Sequence, residues 1–134
     1  MLYARWTINS YVVTYNANGG TGAPSSSTVQ FGSTATVASS ASNPSRTGHT
    51  FDRWTTVSDG TGSMYLPGAT FTMGAGNVAL FAKWTVNNYT VTYDDNVASE
   101  TIGVPAQQSG NYATSVTVGS APSRTGHTLS LIHI

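Results

Sequence analysis

Two blocks of this chain recur 78 positions further on, and this spacing constrains the fold more than any other feature. Residues 2–15 read LYARWTINSYVVTY, and residues 80–93 read LFAKWTVNNYTVTY. Residues 44–50 and 122–128 share the string PSRTGHT. Equal spacing at both blocks predicts copies related without insertion or deletion. Self-similarity at a fixed period is the mark of a tandem array. Residues 1–7 then close one module, residues 8–85 form a complete module, and residues 86–128 open the next. A module of this size draws no more than about 3–5 kcal/mol from a single core. Contacts with neighbours or a very regular core must help it.

The match to the first copy ends after Thr128, where Phe51 predicts an aromatic residue. Residues 129–134 read LSLIHI, which resembles the translation of an adapter used in sequencing libraries. This tail is expected to be non-native and to take no part in the fold.

Hydrophobic period two runs through the repeated blocks. Tyr89, Val91 and Tyr93 alternate with Thr90 and Thr92, as a strand with one buried face requires. Tyr11, Val13 and Tyr15 repeat that face. Val78, Leu80, Ala82 and Trp84 alternate in the same way, and Leu2, Ala4 and Trp6 repeat them. Residues 50–54 predict a third strand. Phe51 and Trp54 are three apart, so a flat strand would turn them to opposite faces. A bulge near Asp52 and Arg53, or a sheet covered on both sides, would resolve this. Weaker strands are expected at residues 28–31, 34–38 and 69–73.

Asn18-Gly19-Gly20, Asp59-Gly60, Pro67-Gly68 and residues 74–76 carry turn chemistry. No helical stripe appears, and residues 39–47 are the one place for a short helix, limited by Pro44. Four residues join Trp84 to Tyr89, a reach of at most about 14 Å. Successive modules are therefore expected to be close neighbours in a semi-rigid array.

Charge excludes several functions. Only five basic and five acidic residues occur, and charged residues make up 7% of the chain. Nucleic-acid binding needs a basic footprint. Arg5, Arg46, Arg53, Lys83 and Arg124 are too scattered to form one, and the same holds for an anionic membrane surface. Solubility falls to hydroxyls and amides, with Ser and Thr at 38 of 134 residues. The absence of cysteine excludes disulfides and thiolate metal sites. No apolar run reaches membrane-spanning length.

The order of YVVTYNANGG, PSRTGHTFDRW and VALFAKW resembles the Listeria–Bacteroides repeat, also known from the B repeats of internalin-type surface proteins. The resemblance covers nearly all of residues 2–128. It implies a small β-grasp-like module with a mixed sheet, repeated in secreted or wall-attached bacterial proteins as adhesive or spacer segments. The expected class is mainly β, α+β at most, with at most one short helix per unit. The sequence departs from the family pattern at His49, where an aromatic is usual, and at Arg53, where Gly is common. Val97-Ala98 replaces Gly-Gly in the first loop of the last unit.

The candidate residues are structural. Trp6, Tyr11, Val13, Tyr15, Phe51, Trp54, Leu80, Trp84, Tyr89, Val91 and Tyr93 are expected in the core. An exposed indole could stack on a sugar, but large aromatics dominate small cores. Pro44, Arg46 and Gly48 are expected to shape a turn, repeated at Arg124 and Gly126, with Asp52 as a partner for Arg46. His49 and His127 lack a neighbouring second ligand and read as partly buried strand histidines. Asp94-Asp95-Asn96 lacks the spacing and distal Glu of a calcium loop and reads as a turn. Residues 74–79 match G-x-G-x-x-A by letter, but a strand follows where a dinucleotide site needs a helix. No G-x-S-x-G or H-E-x-x-H occurs.

These features lead to the expectation of a non-enzymatic, cofactor-free structural and adhesive segment of a bacterial surface protein. Its partners would be neighbouring repeats and a host or matrix protein or glycan, with no nucleic acid and no membrane insertion. The rival expectations are a carbohydrate-binding module appended to an extracellular enzyme and an immunoglobulin-like β-sandwich spacer.

Overall fold

The computed structural model describes residues 1–96 and 103–130, in two units, Met1–Val86 and Asn87–Ile134. The Val97-Ala98 substitution and residues 131–134 of the LSLIHI tail lie outside the described residues.

The first unit holds β1 (Ser10–Asn16), β2 (Ser27–Gln30), β3 (Thr34–Thr36), β4 (His49–Thr55), β5 (Met64–Tyr65), β6 (Thr70–Thr72) and β7 (Val78–Val86). Five of these form one mixed sheet in the order β2-β1-β7-β4-β5. The central pair, β1 with β7, is parallel, with Tyr15 opposite Leu80. The outer pairings are antiparallel. A parallel centre is not the pair of antiparallel sheets that an immunoglobulin-like sandwich requires.

One face of this sheet carries the core. Val13, Trp54, Leu80 and Ala82 are buried together with Ala35, Val37 and Met73. The last three belong to or flank a two-stranded ribbon of β3 and β6, with Ala35 opposite Phe71. That ribbon covers the sheet where the β-grasp resemblance implies a helix. Among the described residues there is no α-helix. The 3-10 turn at Ser40–Ser42 buries no residue. Threonine-rich, three-residue strands can cover the sheet because Val37 and Met73 continue their inward faces.

Trp54 faces the small Ala82 across β4 and β7, so its indole fits without crowding the central strand. Its ring meets Tyr15 edge-on at 5.0 Å and Phe51 at 5.2 Å. Burying a side chain such as Leu80 or Met73 contributes about 1.5–3 kcal/mol. Each aromatic pair adds about 0.5–1.5 kcal/mol. The register between β4 and β7 slips at Asp52, since Phe51 faces Trp84 and Arg53 faces Lys83. This bulge brings Phe51 and Trp54 to one face although they are three residues apart.

The second unit contains β8 (Asn88–Val91) paired antiparallel with β9 (Gln108–Asn111). Here the expectation of copies free of insertion and deletion needs correction. Tyr11 pairs with Val29, and Tyr89 pairs with Gly110. The first partners are 78 apart and the second partners 81 apart. The same shift relates Phe31 N–H to Asn9 O and Tyr112 N–H to Asn87 O, both 2.8 Å. The positive φ of Gly32, 75°, recurs at Ala113, 60°. Three residues are therefore added before β9. Three are lost again before Pro122: five residues separate Ala38 from Pro44, but only two separate Gly119 from Pro122. The changes cancel, so both identity blocks keep their spacing.

Three expected core residues are exposed. Trp6 is 91% exposed. Its counterpart Trp84 is held through Nε1 by the carbonyls of Ala17 and Asn18, whereas residues 2–7 belong to no strand. Tyr89 and Val91 are 55% and 40% exposed. β1 lies between β2 and β7, whereas β8 pairs with β9 alone among the described residues.

Candidate interaction surface

The repeated motifs converge on a turn system at one end of the first sheet. After β1 the chain reverses through Asn18 (φ 48°) and Gly19 (φ 87°). The Asn16 carboxamide oxygen accepts from Asn18 N–H at 2.8 Å and forms an Asx turn. Asn18 Nδ2 donates to Ser58 O at 2.8 Å and to Ala82 O at 3.0 Å. Trp84 Nε1 donates to Ala17 O and Asn18 O at 3.0 and 3.1 Å. The loop is thus stapled to the central strand by the Asn18 amide and the Trp84 indole. At Gly20 a Cβ would stand 2.5 Å from Trp84 Cζ2 and 2.6 Å from Ser45 O, so only glycine fits.

The PSRTGHT turn lies beside it. Thr21 and Ser45 exchange backbone hydrogen bonds at 2.8 and 2.9 Å. Pro44 is buried and Arg46 half-buried. His49 N–H closes the turn on Arg46 O at 3.1 Å, and Gly48 supplies its positive φ of 69°. The Arg46 guanidinium packs over Gly19, where a Cβ would meet Cζ at 3.4 Å. Asp52 is not its partner. The carboxylate of Asp52 instead meets Arg53 Nε at 3.0 Å, because the bulge sets these neighbours side by side. That pair is half-exposed, so solvent screens it and holds its worth to no more than about 1 kcal/mol.

The second unit keeps these devices. Asn96 N–H donates to Asp94 Oδ1 at 2.7 Å, and Asn96 has φ 53°. The Asp94–Asn96 segment is therefore an Asx turn with a carboxylate in place of the Asn16 amide. His127 N–H closes on Arg124 O at 3.1 Å with Gly126 at φ 73°. His49 and His127 each set Nδ1 against the carbonyl two residues back, at 2.9 and 3.0 Å. His49 is half-buried on β4, while His127 is exposed and in no strand, contrary to its reading as a partly buried strand histidine. Tyr93 is half-buried, and its hydroxyl donates to Gln108 Oε1 at 3.1 Å.

Of the other sequence candidates, Val13, Trp54 and Leu80 are fully buried, and Tyr11, Tyr15, Phe51 and Trp84 are packed against them. Sequence reasoning missed Asn16, Asn18 and Gly20 as holding residues, although NANGG carries the Asx-turn signal. It also missed a shallow groove of ≈ 290 Å³ lined by Thr7, Ile8, Asn9, Tyr11, Phe31 and Ala75. Ile8 and Phe31 are half-exposed there. Among the described residues no cluster of three or more His, Asp or Glu could hold a metal ion. None of their helices is long and apolar enough to cross a membrane.

A mixed sheet covered by a ribbon, with turn devices copied from unit to unit, defines a tandem β-repeat module. The Listeria–Bacteroides repeat domain matches at residues 11–83 and 89–130. The chain belongs to that family. It is 36% identical over 128 residues to a "Putative Gly-rich membrane protein" of Evansella cellulosilytica, covering 94% of this chain and 14% of that protein. It is 39% identical over 89 residues to a "Putative membrane protein" of the same organism, covering 65% of this chain and 13% of that protein. The chain thus spans about a seventh of these relatives' length. No solved structure matches it.

Proposed function

We propose that this chain is a stretch of a tandem repeat array in a secreted or cell-wall-attached bacterial surface protein. It acts as a spacer and as a surface for protein contact, and carries no chemistry of its own. One observation carries this reading. What recurs between the units is folding apparatus: the Asx turns at Asn18 and Asn96, the closed turns at His49 and His127, and the tyrosine hydroxyl caps. An array selected for a ligand would be expected to repeat an exposed polar site. The names of the relatives, both of which contain the words "membrane protein", support a location at the cell envelope.

Protease shaving of intact cells of the source organism tests this. Release of peptides from residues 1–96 without lysis is the expected result. Their release only after lysis would sink the surface reading.

The carbohydrate-binding alternative retains one observation. Trp54 and Trp84 are engaged in the fold, but Tyr11 and Phe31 border the open groove. Saturable binding on a glycan array, lost in Phe31→Ala, would favour that alternative.

A further inference from the structure

Tension on an array reaches each module only through its two junctions, so the strands joined to those junctions decide how the module resists. In the first unit these are β1, entered from Asn9, and β7, which passes to β8 through Asn87 alone. The two strands are neighbours in the sheet and run parallel. Ser10 and Val86 therefore lie at opposite ends of the pair, and a pull between the junctions draws the strands past each other. Hydrogen bonds between parallel strands are evenly spaced along the pair, and such a pull loads them together. An antiparallel pair pulled apart from one end, such as β4 and β7 at His49 and Val86, opens one bond after another instead.

Side chains lengthen the parallel ladder at both ends. Its backbone register sets residues 13–16 against residues 78–81. Before that stretch, the Asn77 carboxamide oxygen accepts from Val12 N–H at 2.9 Å. After it, Asn18 Nδ2 donates to Ala82 O at 3.0 Å. Trp84 Nε1 donates to Ala17 O and Asn18 O at 3.0 and 3.1 Å. Bonds thus run from residue 12 to residue 18 on one segment and from residue 77 to residue 84 on the other. Val13, Leu80 and Ala82 are buried in the core, which keeps water from one face of the ladder while it is loaded.

We propose that β1, the turn after it and β7 form a mechanical clamp, and that a complete module bears tension along the array by loading this clamp in shear. Forced unfolding is governed by the unfolding rate. The module yields only when the bonds of the ladder give way together, and the side-chain bonds at its two ends add to the number that must do so. Asn77, Asn18 and Trp84 are then force-bearing residues as well as folding residues. The clamp follows from the first unit alone. Its use under tension rests on the array reading proposed above.

Optical-tweezers pulling of the full chain in two directions is the test. The chain has no cysteine, so handles are attached at introduced pairs of exposed positions. Arg5→Cys with Asn88→Cys pulls β1 against β7 in shear. Thr47→Cys with Asn88→Cys pulls β4 from β7 starting at the His49–Val86 end. At one pulling rate the first pair should unfold the first unit at the higher force. Asn77→Ala removes one hydrogen bond from the sheared ladder and should speed unfolding about fivefold at fixed force in that direction. It should leave the rate in the second direction unchanged. Equal forces in the two directions overturn the proposal. So does an Asn77→Ala variant that unfolds at the wild-type rate in shear, or is accelerated alike in both directions, which would make its bond a matter of general stability. Equal forces would leave the surface location standing, and release of peptides only after lysis would leave the clamp standing.

Discussion

The phenol of Tyr15 accepts a hydrogen bond from the backbone N–H of Ala38 at 2.9 Å. This contact ties β1 to the chain leaving β3, and so fixes the ribbon over the sheet. The second unit repeats it between Tyr93 and Gly119 at 2.8 Å. Tyr15→Phe would keep the ring against Trp54 and leave the Ala38 N–H without its acceptor. The expected cost is about 1–3 kcal/mol, that of orphaning a partly buried donor. Denaturant unfolding would measure it, and the Ala38 amide should lose hydrogen-exchange protection. Unchanged protection would show that the ribbon is held by packing alone.

Two glycine substitutions separate space from backbone freedom. A Cβ at Gly20 would collide with Ser45 O and the Trp84 ring, whereas a Cβ at Gly74 meets nothing within 4 Å. Neither glycine has a positive φ. Gly20→Ala should therefore cost about 1–3 kcal/mol or more by overpacking. Gly74→Ala should stay within about 0.5 kcal/mol of wild type. Equal denaturation midpoints for the two variants would contradict the clash.

Long strands were legible in the sequence because period two had room to show itself. β1 and β7 run seven and nine residues, and their apolar alternation identifies the inward face. β5 has two residues, too few for any period. β3 and β6 have three each, so strands were expected there, but not that Ala35, Val37 and Met73 would build the second layer. The three-residue exchange between the units was hidden by its own compensation. Only pairings such as Tyr89 with Gly110 expose it. Trp6 and Val91 show a different limit. Their pattern states which face wants burial, and burial itself depends on strands elsewhere in the chain.

Trp54 and Trp6 should respond oppositely to truncation. Trp54 is completely buried against Tyr15 and Phe51, and its Nε1 has no hydrogen-bond partner among the described residues. Its contribution is therefore packing. Trp54→Ala should cost about 3–5 kcal/mol, as for other buried aromatics, which is enough to unfold the first unit. Trp6→Ala should leave that unit's midpoint unchanged, since Trp6 is 91% exposed. Circular dichroism melts of both variants decide. A sharp native-like transition in Trp54→Ala would remove Trp54 from the core.

Asp59 supplies a pH dependence with a definite sign. Thr61 donates to its Oδ1 from the hydroxyl at 2.6 Å and from the backbone N–H at 2.8 Å. These donors hold the carboxyl below its ordinary value of 3.8. A group whose folded pKa is depressed binds its proton more readily when unfolded. The stability it adds is therefore fully present above 3.8 and lost as pH falls through the lower folded value. Asp59→Asn keeps an acceptor for Thr61 but cannot titrate. Wild type should melt above the variant at pH 6, and the gap should close on acidification below 3.8. A gap independent of pH would mean that the carboxylate charge has no part in the turn.

The two units differ most instructively just before the PSRTGHT turn. Ala38 and Gly119 make the same bond to a tyrosine hydroxyl, yet the path from Ala38 to Pro44 is three residues longer. The extra residues are those of the Ser40–Ser42 turn, which buries none of its residues. Its own hydrogen bonds are local: Ser42 N–H to Ser39 O and Asn43 N–H to Ser40 O. Loop length acts on stability only through a slowly growing closure entropy. Deleting Ser40, Ala41 and Ser42 should therefore leave the first unit folded and within about 1 kcal/mol of wild type. The Ala38 amide should stay protected by Tyr15, because the second unit makes that contact across the shorter path. A larger loss in denaturant unfolding, with Ala38 exchanging freely, would mean that the 3-10 turn is needed to bring Pro44 to its buried position. The shorter path of the second unit would then depend on a compensating change elsewhere in that unit.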